Sequence, residues 1–125
     1  MTLKNFFLNQ LKDQVLSGKT RPKKWRVEQL QALSNLLDNH QQEILNALHQ
    51  DLGKPPTEAF FEIIAVKQEI KVVQKNLSNW MKAKKINVPV SLRPAQAFIQ
   101  PDPLGCILII GPWNYPFSLT LQPLV

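Results

Sequence analysis

Cysteine is almost absent from this sequence. Cys106 is the single one among 125 residues, so no internal disulfide can form, and a chain of this length without one fits a reducing compartment. Long apolar runs are missing too. No stretch approaches the ~18 consecutive apolar residues of a membrane-spanning helix. The start, Met1-Thr2-Leu3-Lys4-Asn5-Phe6, lacks the charged, apolar and small-residue zones of a secretory signal. Together these absences lead us to expect a cytoplasmic chain. Histidine occurs only at His40 and His49, which match no metal-ligand spacing, so both read as surface residues and no metal is expected.

Acidic residues are outnumbered, nine against fifteen Lys and Arg, for a net charge of +6. Such a balance raises nucleic acid as a partner, but the positions argue against it. Lys19, Arg21, Lys23, Lys24 and Arg26 surround one expected helix start, and Lys71, Lys75, Lys82, Lys84, Lys85 and Arg93 follow a second expected helix towards its end. Cations near a helix carboxyl end are favoured by the dipole, by ~0.3–1 kcal/mol each. No interleaved aromatics, finger spacing or helix-turn-helix accompany them. We therefore expect no nucleic-acid partner.

What the sequence does contain is helical periodicity. Apolar residues make up 44% and charged residues 19%, an ordinary globular balance with enough length for one core. Leu3, Phe7, Leu8, Leu11 and Val15 form a stripe ended by Ser17-Gly18, predicting a helix near 3–17. Pro22 suits the first turn of a second helix near 22–38, with Trp25, Leu30, Leu33 and Leu37 on one face. Asn39 and Gln42 resemble an imperfect capping box that restarts a helix near 40–51. Gly53, Pro55 and Pro56 then stop it. Phe60, Ile63, Val66, Ile70, Val73, Leu77 and Trp80 recur by threes and fours, predicting a long helix near 57–84 with one buried seam. Glu58 and Glu62 share a face of it with no evident partner, so both are expected to be solvated.

From Ile86 the period changes. The segments 87–91 and 95–100 alternate weakly, the first broken by Pro89, and suit edge strands. Cys106-Ile107-Leu108-Ile109-Ile110 is wholly apolar and rich in β-branched residues, which predicts a strand near 105–110 covered on both faces. A thiol inside such a strand is inert, and Cys106 is not expected to act as a nucleophile. The strand needs neighbours that these residues do not supply, and the final helical pattern breaks off at Pro123-Leu124-Val125; both observations lead us to expect a truncated chain.

Gly111-Pro112-Trp113-Asn114-Tyr115-Pro116 follows that strand and leads into a helix, the position where open α/β sheets bind ligands. The two prolines restrict the backbone around Asn114. Asn114 has two uses in such a loop. It can cap the next helix, the commoner use, or its neutral amide can donate to an oxygen that gains negative charge during a reaction.

The run from Asp102-Pro103-Leu104-Gly105 through Gly111-Pro112-Trp113-Asn114-Tyr115-Pro116 resembles the aldehyde dehydrogenase superfamily, in particular its class-3-like or fatty-aldehyde type. Gly18-Lys19-Thr20-Arg21-Pro22, Trp25-Arg26 and Asp51-Leu52-Gly53-Lys54-Pro55 are similar to the same type, in the same order along the chain. The resemblance implies an α/β protein, here an amino-terminal helical segment plus the first strand of an open Rossmann-like cofactor domain, with the fold incomplete. Residues 1–85 would be the helical amino-terminal part of that domain, 86–103 an edge-strand arm with a role in oligomerisation, and 104–125 its first buried strand and active-site loop, truncated.

The resemblance also implies roles. Asn114 falls on the family's oxyanion donor. Ile110, Gly111 and Trp113 fall beside the nicotinamide end of NAD or NADP, and Tyr115 and Leu119 face the aldehyde pocket. The family's nucleophilic cysteine, general-base glutamate and glycine-rich cofactor loop have no counterpart here. The expected activity is NAD(P)-dependent oxidation of a small-molecule aldehyde to a carboxylic acid by the full-length enzyme, a homodimer, with these 125 residues alone inactive. The alternative is a truncated, non-catalytic helical interaction protein.

Overall fold

The computed structural model describes residues 3–125. The expected first member of the leading apolar stripe, the Leu3 side chain, lies outside what is described, as do Met1 and Thr2. Four helices come first: α1 (Leu3–Leu16), α2 (Lys23–Asn39), α3 (Gln41–Leu52) and α4 (Pro56–Trp80). Two short strands, β1 (Lys84–Ile86) and β2 (Ala97–Ile99), flank a 3-10 turn at Val90–Leu92, and α5 (Pro116–Leu121) closes the order.

The long helix α4 organises the rest. Its threes-and-fours spacing puts Ile63, Val66, Ile70, Val73 and Leu77 on one buried seam, joined by Leu30 and Leu37 of α2. Val27, Leu33, Ile44, Leu45, Phe117 and Leu121 pack around that seam. Each fully buried aliphatic side chain contributes about 1.5–3 kcal/mol relative to exposure. Helices α2, α3 and α5 all lie against α4. The seam is narrower than the sequence pattern: Phe60 and Trp80 at its ends stay exposed, while Ala59 and Glu62 are buried.

The helix ends differ from expectation in informative ways. Asn39 is the last residue of α2, not a cap of α3, whose N-cap is His40 without a side-chain hydrogen bond. Gly53 ends α3 in the left-handed region, φ 64°, with its N–H bonded to His49 O at 2.8 Å, a geometry glycine adopts without Cβ strain. Pro56 opens α4, because a first-turn proline lacks only an N–H that has no partner there. That helix stops at Trp80 with no basic residue in its last turn, so Lys82, Lys84 and Lys85 are not explained by its dipole.

The strands β1 and β2 pair antiparallel, Lys84 opposite Ile99, Lys85 opposite Phe98 and Ile86 opposite Ala97. Residues 95–100 thus do contain a strand, whereas 87–91 run into the 3-10 turn and the partner strand lies just before them. The larger departure is at 105–110. No strand forms there, Cys106 is exposed, and Ile107, Leu108 and Ile110 are 53%, 84% and 83% exposed. An all-apolar strand is stable only between neighbouring strands and covering helices, and among the described residues no element covers this segment. Among the described residues, no helix is long and apolar enough to cross a membrane.

Candidate active-site loop

The loop at 111–116 is pinned at both ends and open at its tip. At the incoming end, Gly111 lies so close to α5 that a Cβ built on it would stand 1.9 Å from Thr120 Oγ1. Any side chain there would collide with that helix. At the outgoing end, Tyr115 is the N-cap of α5 with φ 50° and ψ 50°, a left-handed conformation that costs a bulky residue of order 1–3 kcal/mol. The ring of Pro116 adds a second restriction, since it disfavours the right-handed helical region at Tyr115.

The contact that holds this end comes from α4. Glu62, expected to be solvated, is 1% exposed. Its Oε2 accepts hydrogen bonds from the N–H groups of Phe117 and Ser118, each at 3.0 Å. Those are two of the amides that a helix start leaves without intrahelical partners, and a carboxylate also suits the positive end of the helix dipole. Its other oxygen, Oε1, takes an ion pair and hydrogen bond from Lys54 Nζ, with side-chain exposure of 11% on the lysine. The same ammonium lies 3.9 Å from the centroid of the Tyr115 ring, within cation–π reach. One buried carboxylate is therefore satisfied on both oxygens, once by the helix and once by a cation that also touches the loop.

Asn114 does not cap α5. It is exposed, the N-cap position belongs to Tyr115, and no side-chain cap bond exists there. Capping, the commoner use of an asparagine before a helix, is thus excluded, and Glu62 performs that task from a distant part of the sequence. Trp113 is 82% exposed, and Tyr115 and Leu119 are each 46% exposed. The structure thus brings Gly111, Asn114, Tyr115 and Leu119 to one loop and helix start, with Ile110 and Trp113 on the exposed stretch leading in. Glu62 and Lys54 belong to this assembly although the sequence marks neither as a site residue. The only hints in it are the apolar surroundings of Glu62 in α4 and a lysine just after the α3 stop.

Elsewhere several charged residues have structural partners. Arg21 pairs with Asp102 at 3.5 Å, both exposed, and the Arg26 Nε donates to Thr20 O at 3.0 Å. His40 and His49 are exposed, His40 against Glu43 and His49 against the Lys54 carbonyl. Among the described residues no group of three or more His, Cys, Asp or Glu side chains could hold a metal ion.

The site is thus a loop with an exposed tip and fixed flanks, following helices packed on a long central one. Comparison with known proteins gives the family. Residues 12–125 match the aldehyde dehydrogenase family model, and the chain belongs to that family. It is 43% identical over 119 residues to aldehyde dehydrogenase family 3 member B1 of Mus musculus, covering 94% of this chain and 25% of that protein. Family 3 member H1 of Arabidopsis thaliana is 43% identical over 109 residues, covering 86% of this chain and 22% of that protein. Among solved structures, the substrate-bound state of Staphylococcus aureus AldH superimposes with a TM-score of 0.96 at 36% identity, over 99% of this chain and 27% of the other. The chain thus has the fold of the amino-terminal part of an aldehyde dehydrogenase and spans about a quarter of the length of its relatives.

Proposed function

We propose that these residues form the leading quarter of an NAD(P)-dependent aldehyde dehydrogenase that oxidises a small-molecule aldehyde to a carboxylic acid. The observation that carries the reading is Asn114, exposed at the tip of a loop fixed on both sides and released from helix capping. Its amide can donate to the aldehyde oxygen as negative charge develops there, without introducing a titrating proton. A donor held in place before reaction costs no reorganisation at the moment of attack, which is the basis of oxyanion stabilisation.

Tyr115 and Leu119, on the same loop and first turn, would border the aldehyde, with their half-open faces available to an apolar substrate chain. Ile110, Gly111 and Trp113 would hold the nicotinamide end of NAD or NADP. The residues fit this group in one respect, the broad exposed surfaces of Ile110 and Trp113, at 83% and 82%. Gly111 does not add to the fit, because its missing Cβ is already required by Thr120. When bound, the cofactor supplies a hydride acceptor. The nucleophile and general base that the reaction needs would come from outside these 125 residues.

The exposed β1–β2 hairpin, with Phe98 and Ile99 both exposed, supports an arm used in homodimer formation. A single cysteine supports a reducing compartment, and we assign the cytoplasm. The test is formation of NADH or NADPH from an aldehyde by the full-length enzyme carrying these residues, followed by absorbance with each dinucleotide in turn. Turnover with either supports the reading. A full-length enzyme that binds neither dinucleotide and oxidises no aldehyde overturns it.

A further inference from the structure

We infer that Glu62 and Lys54 are positioning residues that aim Asn114, acting through the start of α5 and the ring of Tyr115; the inference rests on the oxyanion reading of Asn114 given above. The position of an exposed loop tip is set by what holds its two ends. The incoming end is held by Gly111 packing directly on Thr120. The outgoing end is a strained left-handed tyrosine followed by a proline, a conformation that persists only where its surroundings determine it. Those surroundings are Glu62 and Lys54. Glu62 Oε2 draws the Phe117 and Ser118 amides down onto α4, at 3.0 Å each, which fixes the axis of α5 immediately after the loop. Lys54, anchored on the other oxygen of the same carboxylate, lies against the Tyr115 ring, which limits rotation of the residue next to Asn114.

A buried carboxylate is costly, and replacing a paired one by apolar residues is often neutral or stabilising. Glu62 sits among Ala59, Ile63 and Val66 on α4, all of them buried, where a leucine would pack. Its placement is therefore poorly accounted for by core stability and well accounted for by the orientation of α5. The expectation is geometric: a displacement of the donor of order 1 Å from its working position can cost as much as ~100-fold in rate.

The experiment is a kinetic cycle in the full-length enzyme with Glu62→Gln, Asn114→Ala and the two combined. In Glu62→Gln the introduced amide keeps an acceptor for α5 but turns its other half from acceptor to donor against Lys54, so the link to Tyr115 is broken. We expect Glu62→Gln to lower kcat by about 10–100-fold, with KM changed little. In the Asn114→Ala background the same substitution should change kcat less than about twofold, since residues acting as one unit do not add. If Glu62→Gln does not yield folded enzyme, Lys54→Gln combined with Glu62→Gln, which leaves no unpaired charge in the core, is read in the same cycle. Independent, multiplied losses in the combined variant overturn the inference while leaving Asn114 as the donor. So does a loss confined to KM, or an unchanged kcat. An Asn114→Ala enzyme with intact turnover overturns the oxyanion reading itself, and this inference with it.

Discussion

Glu62 accepts the Ser118 N–H at 3.0 Å across an interval of 56 residues, inside a core where the carboxylate is 1% exposed. The link ties the chain's longest helix to the start of its last. Removing it should be felt as stability. Glu62→Ala strands the Lys54 ammonium and leaves two helix-start amides without acceptors, and breaking a buried pair in this way costs about 3–5 kcal/mol. Denaturant unfolding of the full-length enzyme should show a loss of that size. A loss below about 1 kcal/mol, the scale of an exposed pair, would show that the carboxylate is far better solvated than its burial indicates.

Gly111 and Thr120 form a second link, and it predicts a rescue. Gly111→Ala drives a methyl to 1.9 Å from Thr120 Oγ1 and 3.3 Å from its Cβ. Overpacking of this kind costs about 1–3 kcal/mol. Adding Thr120→Ala removes the oxygen and leaves a tight 3.3 Å Cβ contact and an ordinary one to the Pro116 carbonyl oxygen at 3.6 Å. A shift of a few tenths of an ångström relieves the tight contact, so the pair should recover much of the lost stability. Thr120→Ser retains the oxygen and should recover little. Thermal midpoints of the parent, the single variant and the two combinations measure this, and equal midpoints for the Ala and Ser combinations would contradict the contact.

The exposed segment 104–110 predicts association of the 125-residue chain when made alone. Leu104, Leu108 and Ile110 are 93%, 84% and 83% exposed, in an uncharged stretch of high β-propensity, a combination that recruits further strands. Light scattering should rise with concentration, and Leu108→Lys should suppress it. A monomer at high concentration, unaffected by the substitution, would contradict the exposure of this segment.

Cys106 reports on the same segment. Exposed here, it should react readily with a maleimide in the 125-residue chain and slowly in the full-length enzyme, where a strand buried between neighbours would shield it. Equal labelling rates would argue that 105–110 is not a covered strand in either.

How far these features can be read from the sequence depends on where their causes lie. The α4 seam from Ile63 to Leu77 is a local pattern, and local period is what a sequence displays. The stop at Trp80 is less visible because the lysines after it are good helix formers. Glu62 is only faintly marked as a site residue, by its apolar neighbours in α4, since its partners Lys54, Phe117 and Ser118 come together only after α3, α4 and α5 pack. For the same reason Asn114 reads as a cap of α5, although the capping acceptor comes from α4. The apolar run 106–110 announces burial, but burial needs covering neighbours, and among the described residues Ile107, Leu108 and Ile110 stay exposed.

The central claim, that Asn114 is an oxyanion donor rather than a structural residue, is tested by turnover and thermal stability of Asn114→Ala and Asn114→Asp in the full-length enzyme. Asn114 makes no cap bond, so both variants should keep a thermal midpoint near that of the parent. Loss of the donor should lower kcat by ~10²–10³-fold in Asn114→Ala. Asn114→Asp should fall at least as far, because it sets negative charge against the oxygen that becomes negative. An active Asn114→Asp enzyme, or a loss of turnover matched by a loss of stability, would contradict the account.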